Sequence, residues 1–471
     1  MTSREKVKVI ISDIRFWILL FFVIRLIGIT NAPLEMGHNW RQALTNMITR
    51  NFYEGGVQML YPKIDIAGNQ TGILGSEFPI FNYITYLFSS VFEYEHWHGR
   101  LINLIISSIG IYYFYLLIEK LCTKRIALNA TIILLSSIWF GFSRKTMPDT
   151  FSIALTIIGL YQAFLFLTSG KKKNLISFFF FLTIGMLCKI PALSLMAVVP
   201  ILFIIKEIEF KRKLSIVITS CLSIGIVFTW YFYWVPYLVE TYNYKLYFPK
   251  SLIGGLKEIK PIFSEYLKQF YKNALCSFVA FPFFVYGILA LIKEKNRNLT
   301  IGISLITFTF LLFTIKTGAV FPLHSYYIIP FTPIMALIVG IGISKIPVKF
   351  QIALLVIISI EAIANQQHDF FIKDSEKYKL AIEKVADKYI QKNDLIVINA
   401  GENPQEMYFT HRKGWSYGNF VINKPELDSL HSIGAKFLII NKAYYSNLIP
   451  FYRKIYSGSH YDIYTLGKSK F

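Results

Sequence analysis

The sequence predicts a polytopic α-helical membrane protein that ends in a small extracytoplasmic α/β domain. Three observations carry that expectation. Of 471 residues, 54% are hydrophobic and 16% charged, where a soluble domain carries about 25% charged residues. Long apolar runs recur through the first three quarters of the chain. Past residue 366 the pattern changes to short segments with helix and strand periods.

The apolar runs predict about eleven transmembrane helices, at 16–32, 100–119, 126–143, 150–168, 174–188, 190–205, 214–235, 276–292, 299–315, 325–343 and 349–365. The first has no small-residue cleavage site after it and reads as a retained signal anchor. With the N-terminus inside, the short inner segments are all basic, among them Lys120, Lys124 and Arg125, then Lys171, Lys172 and Lys173. That is the positive-inside pattern. The net charge of +21 is therefore read as topology, and nucleic acid is excluded as a partner. Four cysteines, Cys122, Cys188, Cys221 and Cys276, lie in or beside apolar runs without metal spacing, as packing residues do.

Three outer segments remain large. The first, 33–99, contains NWRQALTNMITRNFYE at 39–54, an interfacial amphipathic helix by pattern. Its apolar, aromatic stretch at 79–92 reads as a second helix lying at the outer interface. The second outer segment, 236–275, is rich in Tyr, Lys and Gly. The third predicts a helix at 373–391, a strand at 394–400, a helix near 425–433 and a strand at 435–442. The expected domains are a transmembrane module, 1–365, including the loop 33–99, and the α/β domain, 366–471.

This topology puts all eight histidines outside, with Glu35, Asp65, Glu77 and Asp149. The inner loops are too short to build a pocket, and no GxxxxGK[ST] phosphate loop is present. Chemistry is thus expected at the outer face. Four outer stretches are candidates. In GHNWRQ, 37–42, His38 can act as a base and Arg41 can clamp a phosphate, or Trp40 and Arg41 simply anchor the helix at the interface. In YPKIDIAGNQTGILGSEFP, 61–79, Lys63, Asp65 and Glu77 lie in a loop whose glycines imply turns. In FSRKTMPDT, 142–150, Arg144, Lys145 and Asp149 sit between two spans, with Asp149 also a natural N-cap. In KTGAVFPLHSYYIIP, 316–330, His324, Tyr326 and Tyr327 fit either a site or an interfacial aromatic belt. Lys189, in CKIPAL, lies between two apolar runs. It either snorkels to the interface or holds an anionic headgroup. Cations beside acids and imidazoles above a membrane suit a lipid-linked phosphate substrate.

The order of these features resembles the GT-C superfamily of membrane glycosyltransferases, in its protein mannosyltransferase and aminoarabinose-transferase-like branch. The resemblance spans roughly residues 14–345, and the loop 61–79 followed by SRKTMPD is its most specific part. It implies transfer of a sugar from a polyprenyl-phosphate carrier at the outer face of the plasma (inner) membrane. Relatives place an acid where this chain has His38-Asn39, with Arg41 retained. Glu77 matches the Glu of a Glu-Lys-Pro-Pro step whose Lys is here Phe78, and Asp149 matches the acid of the second outer loop. The resemblance thus implies His38, Glu77, Asp65 and Asp149 as catalytic candidates. Arg41, Lys63, Arg144, Lys189, His324 and Tyr327 are the substrate-binding candidates. The expected reaction is inverting. The acceptor is a lipid-linked glycan, lipid A, a polysaccharide or a protein. The outer acids contain no DxD pair, so neither a metal nor another cofactor is required. A polysaccharide polymerase or ligase, and a flippase for lipid-linked sugars, are the alternatives.

Overall fold

A lipid-facing segment has to satisfy its N–H and C=O groups internally, so long apolar runs fold as helices. The computed structural model describes residues 9–244, 250–294, 296–447 and 449–467. Among them six helices are long and apolar enough to cross a membrane: His98–Leu121, Pro148–Ser169, Phe210–Tyr242, Arg297–Thr317, Ser325–Ser344 and Val348–Asp369. The chain is a multi-pass membrane protein. The other five expected spans fall on shorter helices, at Ile14–Arg25, Lys124–Ser136, Lys172–Cys188, Ile190–Phe203 and Ala280–Glu294. Ile190–Phe203 is a 3₁₀ helix with Pro200 inside it. A proline removes one ladder donor and clashes with the preceding turn, which favours such irregular winding.

The described residues fall into two compact units. One draws on Met1–Ile29, Trp97–Trp234 and Tyr247–Phe370, the other on Thr30–His96, Val235–Leu246 and Phe371–Phe471. The outer loop expected at 33–99 lies in the second unit as far as His96, together with the C-terminal segment.

The first unit packs its helices through small residues, which lets backbones approach closely where lipid supplies no hydrophobic drive. Gly110 lies against Ala154, and Gly340 against Ala130, each too close to admit a side chain. The hydroxyl of Ser152 donates to the carbonyl of Gly185 at 2.6 Å. The apolar core runs from Ile14 and Phe21 through Trp139 and Phe140 to Ile338 and Phe370. Large apolar side chains such as Leu19, Phe180, Leu222, Phe308 and Ile360 stay exposed, as a lipid-facing surface requires. Arg25, the charge inside the first apolar run, is fully buried. It donates to the hydroxyls of Ser143 and Ser108 and to the carbonyl of Phe21.

The second unit contains a five-stranded sheet: β1 Leu395–Ile398, β2 Gly414–Ser416, β3 Ala435–Asn441, β4 Arg453–Ser457 and β5 Tyr461–Thr465, in the order β2-β1-β3-β5-β4. β1 runs parallel to β2 and β3, while β5 is antiparallel to β3 and β4. Side chains alternate faces along a strand. Ile396 and Ile398 therefore join a core with Met407 and Tyr408, whereas Val397 joins one with Leu427 and Leu430. The expected strand at 394–400 is β1, that at 435–442 is β3, and the helix near 425–433 is Lys424–Ser432. The single helix expected at 373–391 is a 3₁₀ turn, Asp374–Ala381, followed by an α-helix, Ile382–Tyr389. Two outer-loop helices also belong to this unit, Asn39–Gly55 and Ile80–Phe92. The second buries Asn82, Thr85 and Ser89 and exposes Leu87, Val91 and Phe92. That is the inverse of a water-soluble helix and fits an apolar environment for its outer face.

Candidate functional site

In the second unit, the helix Asn39–Gly55 presents Arg41 on its first turn. Gly37 and His38 before it both have left-handed backbones, with φ of 74° and 58°. For a non-glycine residue that conformation is uncommon and costs about 1 kcal/mol, and it recurs at functional positions. His38 occupies the N-cap position and so precedes the first turn. Arg41 forms an ion pair with Glu77, and both side chains remain partly exposed, at 16% and 19%. The amide of Asn82 donates to the carbonyl of Thr45 at 2.7 Å and to the hydroxyl of Thr49 at 3.2 Å. This ties the helix after Glu77 to the helix that carries Arg41. Pro79 is the N-cap of that helix, so the first helical residue is Ile80.

Asp65 has a different setting. Arg50 reaches one of its oxygens at 2.8 Å and the amide of Asn51 the other at 3.0 Å. Arg50 also donates to the carbonyl of Tyr408 at 2.8 Å and lies over its ring. Both carboxylate oxygens are thus engaged by side chains of the neighbouring helix. Lys63 pairs by its main chain with Ile73. Between them Gly68 and Gly72 make the left-handed turns, which a side chain would disfavour.

In the first unit, the loop FSRKTMPD is held by a residue that the sequence reading did not single out. The amide of Asn103 donates to the carbonyls of Phe142, Lys145 and Met147 at 3.0, 2.9 and 3.1 Å. Its oxygen accepts from Ser107 and Thr150. A polar side chain within an apolar span was the signal that could have found it. Arg144 is buried, and its guanidinium donates to the carbonyls of Arg25, Ile27 and Asp369 and stacks on Phe370. These three bonds all go to main-chain carbonyls. Lys145 pairs with Asp369 at 3.1 Å.

Asp149 is not an N-cap. The helix begins at Pro148, Met147 is the cap, and Asp149 lies in the first turn. It faces Lys189 at 3.5 Å. Lys189 in turn lies over the rings of Tyr326 and Tyr327, 5.2 and 6.0 Å from their centroids. His324 stacks on Tyr326 and meets Tyr327 edge-on, at 5.3 and 5.7 Å. The structure therefore brings Asp149, Lys189, His324 and Tyr327 together from three separate stretches. A lysine between a carboxylate and two ring faces is oriented by all three. It suits an oxyanion ligand. Among the described residues no group of three or more His, Cys, Asp or Glu side chains is arranged to hold a metal ion.

Residues 76–234 match the family model of dolichyl-phosphate-mannose-protein mannosyltransferases. Comparison with curated proteins by sequence finds no match. Among solved structures, the chain is similar to ArnT from Cupriavidus metallidurans, with a TM-score of 0.62 at 11% identity, over 96% of this chain and 98% of ArnT. It is similar to the oligosaccharyltransferase of Archaeoglobus fulgidus, with a TM-score of 0.59 at 12% identity, over 95% of this chain and 73% of that one. It is also similar to the arabinofuranosyltransferase AftD from Mycobacteria, with a TM-score of 0.56 at 9% identity, over 97% of this chain and 40% of AftD. The chain has the fold of the GT-C membrane glycosyltransferases.

Proposed function

We propose that the chain is an inverting glycosyltransferase that moves a sugar from a polyprenyl-phosphate carrier to a hydroxyl acceptor at the outer face of the plasma membrane. The observation that carries this reading is the Arg41–Glu77 ion pair at the entrance of an outer-loop helix. Glu77 is the general base, and Arg41 positions its carboxylate. The acceptor oxygen forms a bond to the anomeric carbon while the bond from that carbon to the carrier phosphate oxygen breaks. The acceptor proton passes to Glu77 and the bonding pair leaves with the polyprenyl phosphate. A positioned base of this kind contributes about 10²–10⁴-fold.

The leaving phosphate needs a cation. Lys63, carried by the same outer loop as Glu77, is the candidate for that role. His38 contacts the acceptor. The fold is shared with ArnT from Cupriavidus metallidurans, which has been crystallised bound to undecaprenyl phosphate, and this supports a carrier of that class. The acceptor is a lipid-linked glycan, lipid A, a polysaccharide or a protein. Purified protein mixed with a polyprenyl-phosphate sugar tests the reading: free polyprenyl phosphate accumulates if it holds. Movement of intact donor across a vesicle without its cleavage would instead mark a flippase.

A further inference from the structure

The first unit contains a charged cavity that the transfer chemistry above does not use. Tyr112, Tyr115, Leu116 and Glu119 stand at positions i, i+3, i+4 and i+7 of the helix His98–Leu121, so they share one face. Together with the start of the helix Ile14–Arg25 and with Lys124, that face borders a cavity of about 620 Å³. Asp13 is the N-cap of the first of these helices, and Glu119 lies in the last turn of the other. The cavity therefore sits where apolar spans give way to headgroups. By the proposed sidedness, that is the inner leaflet.

Two of its four lining charges satisfy each other. The guanidinium of Arg15 donates to both oxygens of Asp13, at 3.0, 3.0 and 2.6 Å, and the main chain of Arg15 donates to Asp13 at 2.9 Å. The other two charges are not matched. Glu119 accepts from the hydroxyl of Tyr115 at 3.0 Å and forms no ion pair among the described residues. Lys124 forms none among them either. It is the first residue of the helix Lys124–Ser136, behind the cap Thr123. The helix dipole opposes a cation at that position, and an anion beside it offsets both.

A carboxylate and an ammonium, both unmatched and both lining one cavity, complement a zwitterion. Its ammonium meets Glu119 and its phosphate meets Lys124, each through charge-assisted hydrogen bonds. Val9, Ile14 and Leu116 complete the lining, and their apolar surface suits the glycerol and acyl part of a lipid. A purely anionic headgroup fits less well, because Glu119 has no counter-charge of its own to spare. A quaternary ammonium also fits less well, because it has no N–H to donate to a carboxylate, whereas a primary ammonium has three.

We propose that this cavity binds the headgroup of a phosphatidylethanolamine from the inner leaflet. The site goes beyond the transferase reading and stands without it. In the test, full-length protein in detergent is stripped of lipid. It is then mixed with limiting, equimolar phosphatidylethanolamine, its mono- and dimethyl derivatives, phosphatidylcholine and phosphatidylglycerol, and native mass spectrometry counts the bound lipid. Phosphatidylethanolamine is retained about tenfold over phosphatidylcholine and phosphatidylglycerol, the worth of one charge-assisted hydrogen bond, and retention falls with each added methyl. E119Q removes the preference, and K124Q lowers retention of every phospholipid. The methyl series needs only the wild type, so a variant that fails to fold leaves the test intact. Equal retention of phosphatidylethanolamine and phosphatidylcholine, a preference for phosphatidylglycerol, or a preference that survives in E119Q overturns the inference. Displacement of the lipid by equimolar soluble phosphoethanolamine also overturns it, by assigning the cavity to a free headgroup.

Discussion

Two acids in one outer loop, Asp65 and Glu77, looked alike in the sequence, and their surroundings separate them. Asp65 has both oxygens engaged, by Arg50 and Asn51, while Glu77 meets Arg41 at the mouth of a helix. Asp65→Asn leaves Arg50 buried without its counter-charge, which costs about 3 kcal/mol. It is expected to lower the thermal midpoint while carrier release stays within about threefold. A collapse of release at unchanged stability would return Asp65 to the chemistry. His411 gives a pH signature. Its nitrogens lie 2.6 Å from Glu54 and from Glu383. Burial pulls its pKa down, but the bonds to the two carboxylates outweigh that and raise it above the ordinary value. A raised histidine contributes stability fully below its unfolded pKa and loses it as pH rises through the folded one. The hydrogen bond from His411 is the first cause that holds Glu383 down at about 2, against the opposing effect of burial, so that partner stays charged throughout. The thermal midpoint should fall as pH rises above ~6.5, and H411Q should flatten the fall; a midpoint independent of pH in the wild type would contradict this. Charged residues in apolar surroundings were legible at this scale: Glu77, Asp149 and Lys189 stood out because a membrane chain has few such groups. The fates of their donors were not. Arg144 turned inward to main-chain carbonyls, and neutral Asn103 carried no charge to draw attention.

At the scale of elements, apolar periodicity located the helices and the β1 and β3 strands, because burial fixes their pattern. Short elements escaped. β2 has three residues, and β4 and β5 lie in polar, Tyr-rich sequence whose alternation is weak. Helix type escaped as well: 3₁₀ winding at Ile190–Phe203 and Ser325–Phe331 depends on prolines and packing rather than on hydropathy. The helix Ile80–Phe92 bears on topology, because a crossing there would reverse the side of every later loop. Its buried polar stripe and exposed Leu87, Val91 and Phe92 favour a helix lying in the interface. In F92W the added fluorescence, taken as the difference from wild type, should be quenched by lipids brominated near the headgroup. Stronger quenching by bromine deep in the acyl chains would mean that the segment enters the bilayer.

At the scale of the molecule, six helices among the described residues are of spanning length, and basic short loops set the proposed sidedness. In a background without the four native cysteines, Cys placed at Lys392 should react with an impermeant thiol reagent in intact cells. Cys at Lys172 should react only after permeabilisation. The opposite pattern would invert the topology and move the chemistry inside. Net charge bears on topology through its distribution along the chain, not through its size. The second unit joins Thr30–His96 to segments distant in sequence, and no local pattern records such a grouping.

The central claim concerns one carboxylate, and the most direct measurement is the rate of polyprenyl-phosphate release by Glu77→Gln against wild type at equal folded concentration. The account predicts a loss of about 10²–10⁴-fold with an unchanged thermal midpoint; release at the wild-type rate would contradict it.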